Sequence, residues 1–327
     1  MIRVKLTYPF SWPILKQTPL RSGEWGDCKF YLNQEIPECD YWIVFEGLEN
    51  QEETKCNLEN TLLITAEPPA VKTYNASFVN QFNWVLTCHD FSHKNVIHSQ
   101  QGLNWMVGGR YNKAQHSWEA VHTKDYDELS SITVFKKDKL MSVIVSNKGI
   151  TKGHRDRLKF IEAAKSHFGS ALDVFGVGFN EVPDKWDALY PYRYHLALEN
   201  SIYKDYWTEK VSDSFLAGAY PFYYGCPNIN DYFSPQSFTY IDIADERKSL
   251  NEITRRIEQS KYEQSTDFIR QSRDLILNKY NLMSVIDEFC TTKLKSSFTK
   301  EPITLYPEGH FKQNMSPLKK VKSFLFR

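Results

Sequence analysis

The segment Glu199-Asn200-Ser201-Ile202-Tyr203-Lys204-Asp205-Tyr206-Trp207-Thr208-Glu209-Lys210 decides how this chain is read. It leaves an apolar run, Tyr194-His195-Leu196-Ala197-Leu198, that has the composition of a buried strand. It enters a helix-like run carrying Val211, Phe215 and Leu216, with Thr208 in the position of an N-cap. A strand that ends in acidic and amide side chains, followed by Thr and Lys at a helix start, suits a phosphorylated ligand. The helix start offers free N–H groups and a partial positive charge, and a nearby lysine adds a full one.

Outward from that segment the pattern alternates. Strands are expected at 141–147, 171–175, 194–198, 220–224 and 240–243, with helices at 154–168 and 209–216. Charged residues with helical periodicity fill 250–279. Short strand-like runs at 4–7, 41–45, 61–65 and 84–87 mark the first half. Strand–helix alternation with polar residues at the strand carboxyl ends is the doubly wound α/β pattern, in which ligands sit beyond those ends. The solvated run Lys136-Lys137-Asp138-Lys139 is a natural boundary, and 327 residues are enough for two domains.

The 40 basic and 40 acidic side chains cancel, which argues against a generic nucleic-acid binder. The six cysteines show no CxxC spacing, as expected of reduced thiols in a cytosolic protein. The residues from Met1 to Pro9 read as a short alternating strand rather than a secretory leader.

Glu199-Asn200-Ser201, then Tyr206-Trp207-Thr208-Glu209-Lys210, then Pro221, Tyr224-Gly225 and Pro227 resemble glycosyltransferase family 10, the α1,3/1,4-fucosyltransferases. The resemblance is dense from about 141 to 243, sparse upstream apart from one short motif, and absent at the tail. It implies a GT-B-like architecture: two Rossmann-like lobes with an inter-lobe cleft, 1–138 on the acceptor side and 139–300 on the donor side. Composition by itself gives only two α/β units. The resemblance further implies inverting transfer of L-fucose from GDP-fucose to a hydroxyl of an oligosaccharide or lipid-linked glycan, in α1,3 or α1,4 linkage. It implies no cofactor and no bound metal. Surface polysaccharide or lipopolysaccharide synthesis is the expected setting. The rivals are a transferase for another GDP-deoxysugar and a catalytically silent glycan- or nucleotide-binding protein. Eukaryotic members carry an N-terminal membrane anchor; its absence from this sequence suggests a bacterial-type enzyme, cytoplasmic or peripheral on the inner face of the membrane.

A departing diphosphate gains charge, which a metal or fixed cations must stabilise. Lys210 suits the second route. On the resemblance, Tyr206, Glu209 and Lys210 belong to the donor site, with Glu209 accepting from ribose or sugar hydroxyls and Tyr206 contacting the nucleotide. Without it, the same residues read as a capped surface helix with a Glu–Lys pair. Asn200 is expected as a donor ligand. Glu199 is either a ligand or a structural carboxylate held by backbone N–H groups, because burying it unpaired is costly. An arginine follows the family's own Val-Ser-Asn strand end and contacts the pyrophosphate, since a guanidinium grips phosphate oxygens bidentately. Here Arg155 is preferred and Arg157 is the alternative. A base must take the proton of the attacking hydroxyl. The family's Glu in a Gly-Glu-Asn setting matches Glu67 by position, with Ala66 for Gly and Pro68 for Asn.

Weaker features complete the reading. Asp125-Tyr126-Asp127 is a DxD triplet of the kind that holds Mn²⁺ elsewhere, and Cys88, His89 and His93 have zinc-like spacing; the triplet is expected to be a chance pattern in a charged stretch, and the histidines surface or acceptor-loop residues. Gly176-Val177-Gly178 lacks the third glycine of a dinucleotide fingerprint. Trp105 and Trp118 are candidates for stacking on sugar rings. The tail, 301–327, ends in Leu318, Val321, Phe324, Leu325 and Phe326 among Lys319, Lys320, Lys322 and Arg327, which suits a peripheral anchor on anionic lipid.

Overall fold

The computed structural model describes residues 1–112, 114, 117–119, 123–147, 149, 151–293 and 299–313. The tail from 314 onward and the side chain of Trp118 lie outside the described residues, and with them the membrane-anchor and stacking expectations placed there.

The chain forms two compact units. The first comprises Met1–Phe10, Gly23–Gln101 and Ile286–Arg327, the second Ser11–Ser22 and Gly102–Val285. These divisions differ from the expected breaks at 138/139 and 300/301, for two physical reasons. Lys16 is buried and donates from Nζ to the Val107 carbonyl at 3.0 Å, and Gln17 bonds Asn104, which ties 11–22 into the second unit. Glu301–Leu305, expected to begin a tail, pairs antiparallel with Glu52–Cys56 and completes a two-stranded sheet of the first unit.

The first unit holds a seven-stranded sheet in the spatial order Glu24–Trp25, Cys28–Leu32, Ile2–Thr7, Tyr41–Phe45, Thr61–Ile64, Trp84–Thr87, Val96–His98. All neighbours are parallel except the edge pair Glu24–Trp25 and Cys28–Leu32. Tyr41–Phe45 and Thr61–Ile64 are buried at every position, which explains their unbroken apolar character: a central parallel strand is covered on both faces.

The second unit holds a five-stranded, fully parallel sheet in the order Leu172–Phe175, Lys139–Ile144, Tyr192–Leu198, Tyr220–Tyr224, Thr239–Tyr240. Helices Lys152–Phe168, Glu209–Leu216, Glu246–Glu258 and Lys261–Asn278 belong to it. Its core gathers Val143, Leu196, Phe222, Val211, Phe215, Ile253 and Ile269. Tyr192–Leu198 is the central strand, so the carboxyl end of that strand, Glu199-Asn200, is where the doubly wound topology places a ligand.

Candidate active site

The helix Glu209–Leu216 begins at Thr208, whose side chain accepts from the Lys210 N–H at 3.4 Å. What holds Thr208 there is Glu199, which has no solvent exposure. Its Oε1 accepts from the Thr208 N–H at 2.9 Å and from Thr208 Oγ1 at 2.8 Å, and Lys210 Nζ stands 3.3 Å from Oε2. Burial pushes the Glu199 carboxyl up, against the pull of Lys210 and the Thr208 hydrogen bonds. Of the two roles open to Glu199, the geometry supplies the structural one: it fixes the register between the central strand and the helix.

The loop between them is locked as firmly. Asp205 adopts a left-handed φ of 59° and accepts from Asn228 Nδ2 at 2.7 Å and from the Tyr232 hydroxyl at 2.6 Å. Trp207 is buried edge-on against Tyr232, Phe233 and Tyr280, with ring centroids 5.9, 5.1 and 5.6 Å away. Part of the decisive segment therefore builds the site rather than lining it. Tyr206 belongs to this part, being 5% exposed and outside the lining of the cavity described next.

A cavity of about 280 Å³ opens at the strand ends of the second unit. Ser146, His154, Arg157, Asn200, Glu209 and Lys210 line it, together with Lys185 and the buried His195 and Asp213. Three of the expected donor residues, Asn200, Glu209 and Lys210, are thus brought together. Arg155 is not: it is exposed and donates to the Gly149 carbonyl at 3.0 Å. The alternative arginine is the one at the cavity. Arg157 is buried, its Nη1 donates to the Leu198 carbonyl at 3.2 Å, and its Nε has no partner among the described residues. The reason is helical phase. Arg157 follows His154 by three residues, so the two share a helix face, whereas Arg155 points elsewhere.

The helix Lys152–Phe168 is held against the strand end by close approach. A Cβ at Gly153 would lie 2.0 Å from the Asn200 carbonyl oxygen, so only glycine fits. Thr151 caps this helix, its hydroxyl also meets His154 Nδ1 at 2.6 Å, and His154 Nε2 meets Asn200 Nδ2 at 3.2 Å. Two helix starts, at 152 and 209, therefore border the same strand end, and their N–H groups and dipoles favour an anion.

Lys185 carries no sequence signal of its own; it opens the short 3-10 helix Lys185–Ala188. Its Nζ stands 3.3 Å from Glu209 Oε1, as does Lys210 Nζ. Burial raises the Glu209 carboxyl, yet these two ammonium groups outweigh it and hold the carboxyl well below the usual range. Glu209 is thus an ionised acceptor at the cavity wall.

The first unit carries Glu67 at the end of Thr61–Ile64. Its side chain is exposed while its backbone is fixed: His89 Nε2 bonds the Glu67 carbonyl at 2.8 Å, and the preceding Ala66 N–H donates to Glu46 Oε2 at 2.7 Å. Glu46 also accepts from the Tyr74 hydroxyl and from Lys72. His93 is likewise engaged, with Nε2 3.0 Å from the Phe82 carbonyl, so the histidine pair serves the backbone. Asp125 caps the helix Tyr126–Ser131 and pairs with Arg21 at 2.7 Å, and Asp127 accepts from the Leu20 N–H at 2.6 Å. Among the described residues no group of three or more His, Cys, Asp or Glu is placed to hold a metal ion. Trp105, a stacking candidate, is 1% exposed and donates to the Lys124 carbonyl; it is a core residue.

Residues 134–303, more than half of the chain, match the family model described as glycosyltransferase family 10 (fucosyltransferase), C-terminal part. The chain belongs to glycosyltransferase family 10. The matched stretch contains every residue of the cavity just described. Among relatives, a fucosyltransferase-like protein of Arabidopsis thaliana is 31% identical over 122 residues, covering 36% of this chain and 23% of the relative. The 4-galactosyl-N-acetylglucosaminide 3-alpha-L-fucosyltransferase 9 of Mus musculus is 34% identical over 112 residues, covering 32% of this chain and 30% of the relative. The alignment thus spans under a third of either relative. A solved structure of an alpha1,3-fucosyltransferase superposes with a TM-score of 0.51 at 15% identity, over 91% of each chain. That likeness establishes the α/β GT-B-like fold for this family 10 chain. Among the described residues, no helix is long and apolar enough to cross a membrane.

Proposed function

We propose that this family 10 protein transfers L-fucose from GDP-fucose to a hydroxyl of a glycan, with inversion and without a bound metal. One observation carries the reading. The cavity at the central strand end collects Arg157, from the second turn of one helix, and Lys210, at the start of another, an arrangement that suits a sugar-linked diphosphate.

The diphosphate lies against Arg157, Lys210 and the N–H groups at the start of Lys152–Phe168, with Asn200 and Ser146 completing the polar wall. Glu209, kept ionised by Lys185 and Lys210, accepts from the ribose hydroxyls. Tyr206 supports the loop instead of touching the nucleotide. As the bond between the anomeric carbon and the phosphate oxygen breaks, its electron pair passes to the diphosphate, and the fixed cations stabilise that charge. The acceptor oxygen attacks the opposite face of the anomeric carbon and loses its proton to Glu67, whose exposed carboxylate stands on a fixed backbone. One base and one displacement give inversion, so a β-linked donor yields an α-fucoside. The acceptor is an oligosaccharide or a lipid-linked surface glycan. The protein works in the cytoplasm or on the inner membrane face, with residues beyond 313 as the membrane contact.

Incubation with a panel of GDP-sugars and UDP-sugars in the presence of EDTA tests this reading. GDP-fucose should be the donor consumed. Activity that vanishes with EDTA and returns with Mn²⁺ would overturn the metal-free mechanism, and consumption of a UDP-sugar instead would overturn the donor. Glu67→Gln should abolish transfer while GDP binding persists; equal turnover in the two proteins would remove Glu67 as base.

A further inference from the structure

The inner end of the cavity holds a carboxylate that the transfer reaction does not use. Asp213 follows Glu209 by four residues on Glu209–Leu216, so both point from one helix face into the cavity. Asp213 is 2% exposed. Its Oδ1 accepts from the Met106 N–H at 2.9 Å, but its buried Oδ2 has no hydrogen-bond partner among the described residues. A buried polar atom without a partner is costly, and native proteins rarely keep one without a use. Burial raises the Asp213 carboxyl to about 7, against the pull of Lys185. His195 lines the same end; Ser142 Oγ lies 2.9 Å from its Nδ1, and burial keeps the ring neutral. Leu189 and Leu196, each 1% exposed, supply apolar walls.

The order of groups along the cavity orients a nucleotide. Arg157, Lys210 and Asn200 stand at the strand end, and the sugar must leave from that open side. Glu209 opens the helix that carries Asp213, one turn nearer that end. Asp213 and His195 come last, with His195 four residues, ~13 Å, back along the strand from Glu199. The base therefore meets Asp213.

We propose that Asp213 selects guanine as the base of the nucleoside diphosphate, its Oδ2 and the second lone pair of Oδ1 accepting from the N1–H and the exocyclic N2 amino group. This rests on the donor reading above. Adenine presents an acceptor at its own N1, which would face the carboxylate lone pairs, and uracil presents a single N–H on its edge. Only guanine places two adjacent donors there.

The test is calorimetric binding of GDP, IDP and ADP to the full chain and to Asp213→Asn. Asparagine keeps an oxygen for the Met106 N–H but turns an amide donor toward the base. Wild type should prefer GDP over IDP, which lacks only the N2 amino group, by on the order of 10-fold, and over ADP by more. In Asp213→Asn the GDP/IDP ratio should collapse toward one and GDP affinity should fall by about 10-fold or more. A probe on the ligand side needs no folded variant: N1-methyl-GDP should bind wild type on the order of 10-fold more weakly than GDP. A GDP/IDP preference retained in Asp213→Asn, or N1-methyl-GDP binding as tightly as GDP, overturns the assignment and leaves the donor reading standing. Wild type that binds no GDP at all overturns the donor reading itself.

Discussion

Glu199 Oε1 accepts two hydrogen bonds from Thr208, one from its N–H at 2.9 Å and one from its hydroxyl at 2.8 Å. This single residue pair welds the central strand to the helix that carries Glu209, Lys210 and Asp213. It also means that the Glu of the Glu-Asn-Ser motif acts on the site through architecture. Glu199→Gln should cost about 3 kcal/mol of stability, because it leaves Lys210 near a neutral buried partner and turns a donor toward a donor. Urea unfolding would measure this, and a midpoint equal to wild type would contradict the structural role.

The two candidate arginines make opposite predictions. Arg157→Lys removes a planar fork from the cavity and should weaken GDP binding by roughly 10-fold or more, since lysine cannot reproduce a bidentate grip. Arg155→Ala removes an exposed side chain and should change it by less than about twofold. Titration calorimetry with GDP separates them; the reverse ranking would restore Arg155.

Gly153→Ala tests how tightly the first helix start is set. The new methyl group would meet the Asn200 carbonyl, a backbone atom that cannot swing aside. Overpacking of this kind costs about 1–3 kcal/mol. A fall in melting temperature should come with weaker GDP binding, because Asn200 and the helix N–H groups are displaced together. Lost stability with unchanged GDP affinity would uncouple the contact from the site.

The inner cavity predicts a cancellation in the pH dependence of stability. The Asp213 carboxyl is raised from 3.8 to about 7, so the folded state keeps a proton that the unfolded chain has lost; this contribution fades as pH rises toward 7. The His195 pKa is lowered from 6.5 to about 3, so the unfolded chain takes up a proton that the folded state refuses; this contribution fades as pH falls below 6.5. Between pH 4 and 6.5 the two slopes oppose one another, each at up to ~1.4 kcal/mol per pH unit. Relative to wild type, Asp213→Asn should gain stability with rising pH in that window, and His195→Gln should lose it. Denaturation curves at several pH values would show this; profiles parallel to wild type for both variants would refute the two shifts.

By itself, the sequence determined the alternating strand–helix order, the strand Tyr220–Tyr224, the helix Glu209–Leu216 with its Thr208 cap, and the identity of the site's central segment. These are local properties: apolar runs of strand length, cap chemistry and motif spacing depend on neighbours within a few residues. Tertiary structure decided the rest. Which arginine reaches the cavity depends on where the helix Lys152–Phe168 begins and how closely Gly153 lets it approach Asn200. That Glu199 and Trp207 are buried, that Tyr206 is buried outside the cavity lining, and that Lys185 and Asp213 are part of that lining all follow from tertiary packing, which no local spacing encodes. The unit boundaries were hidden for the same reason: the pairing of Glu301–Leu305 with Glu52–Cys56 joins residues about 250 positions apart, and only the closed sheet records it.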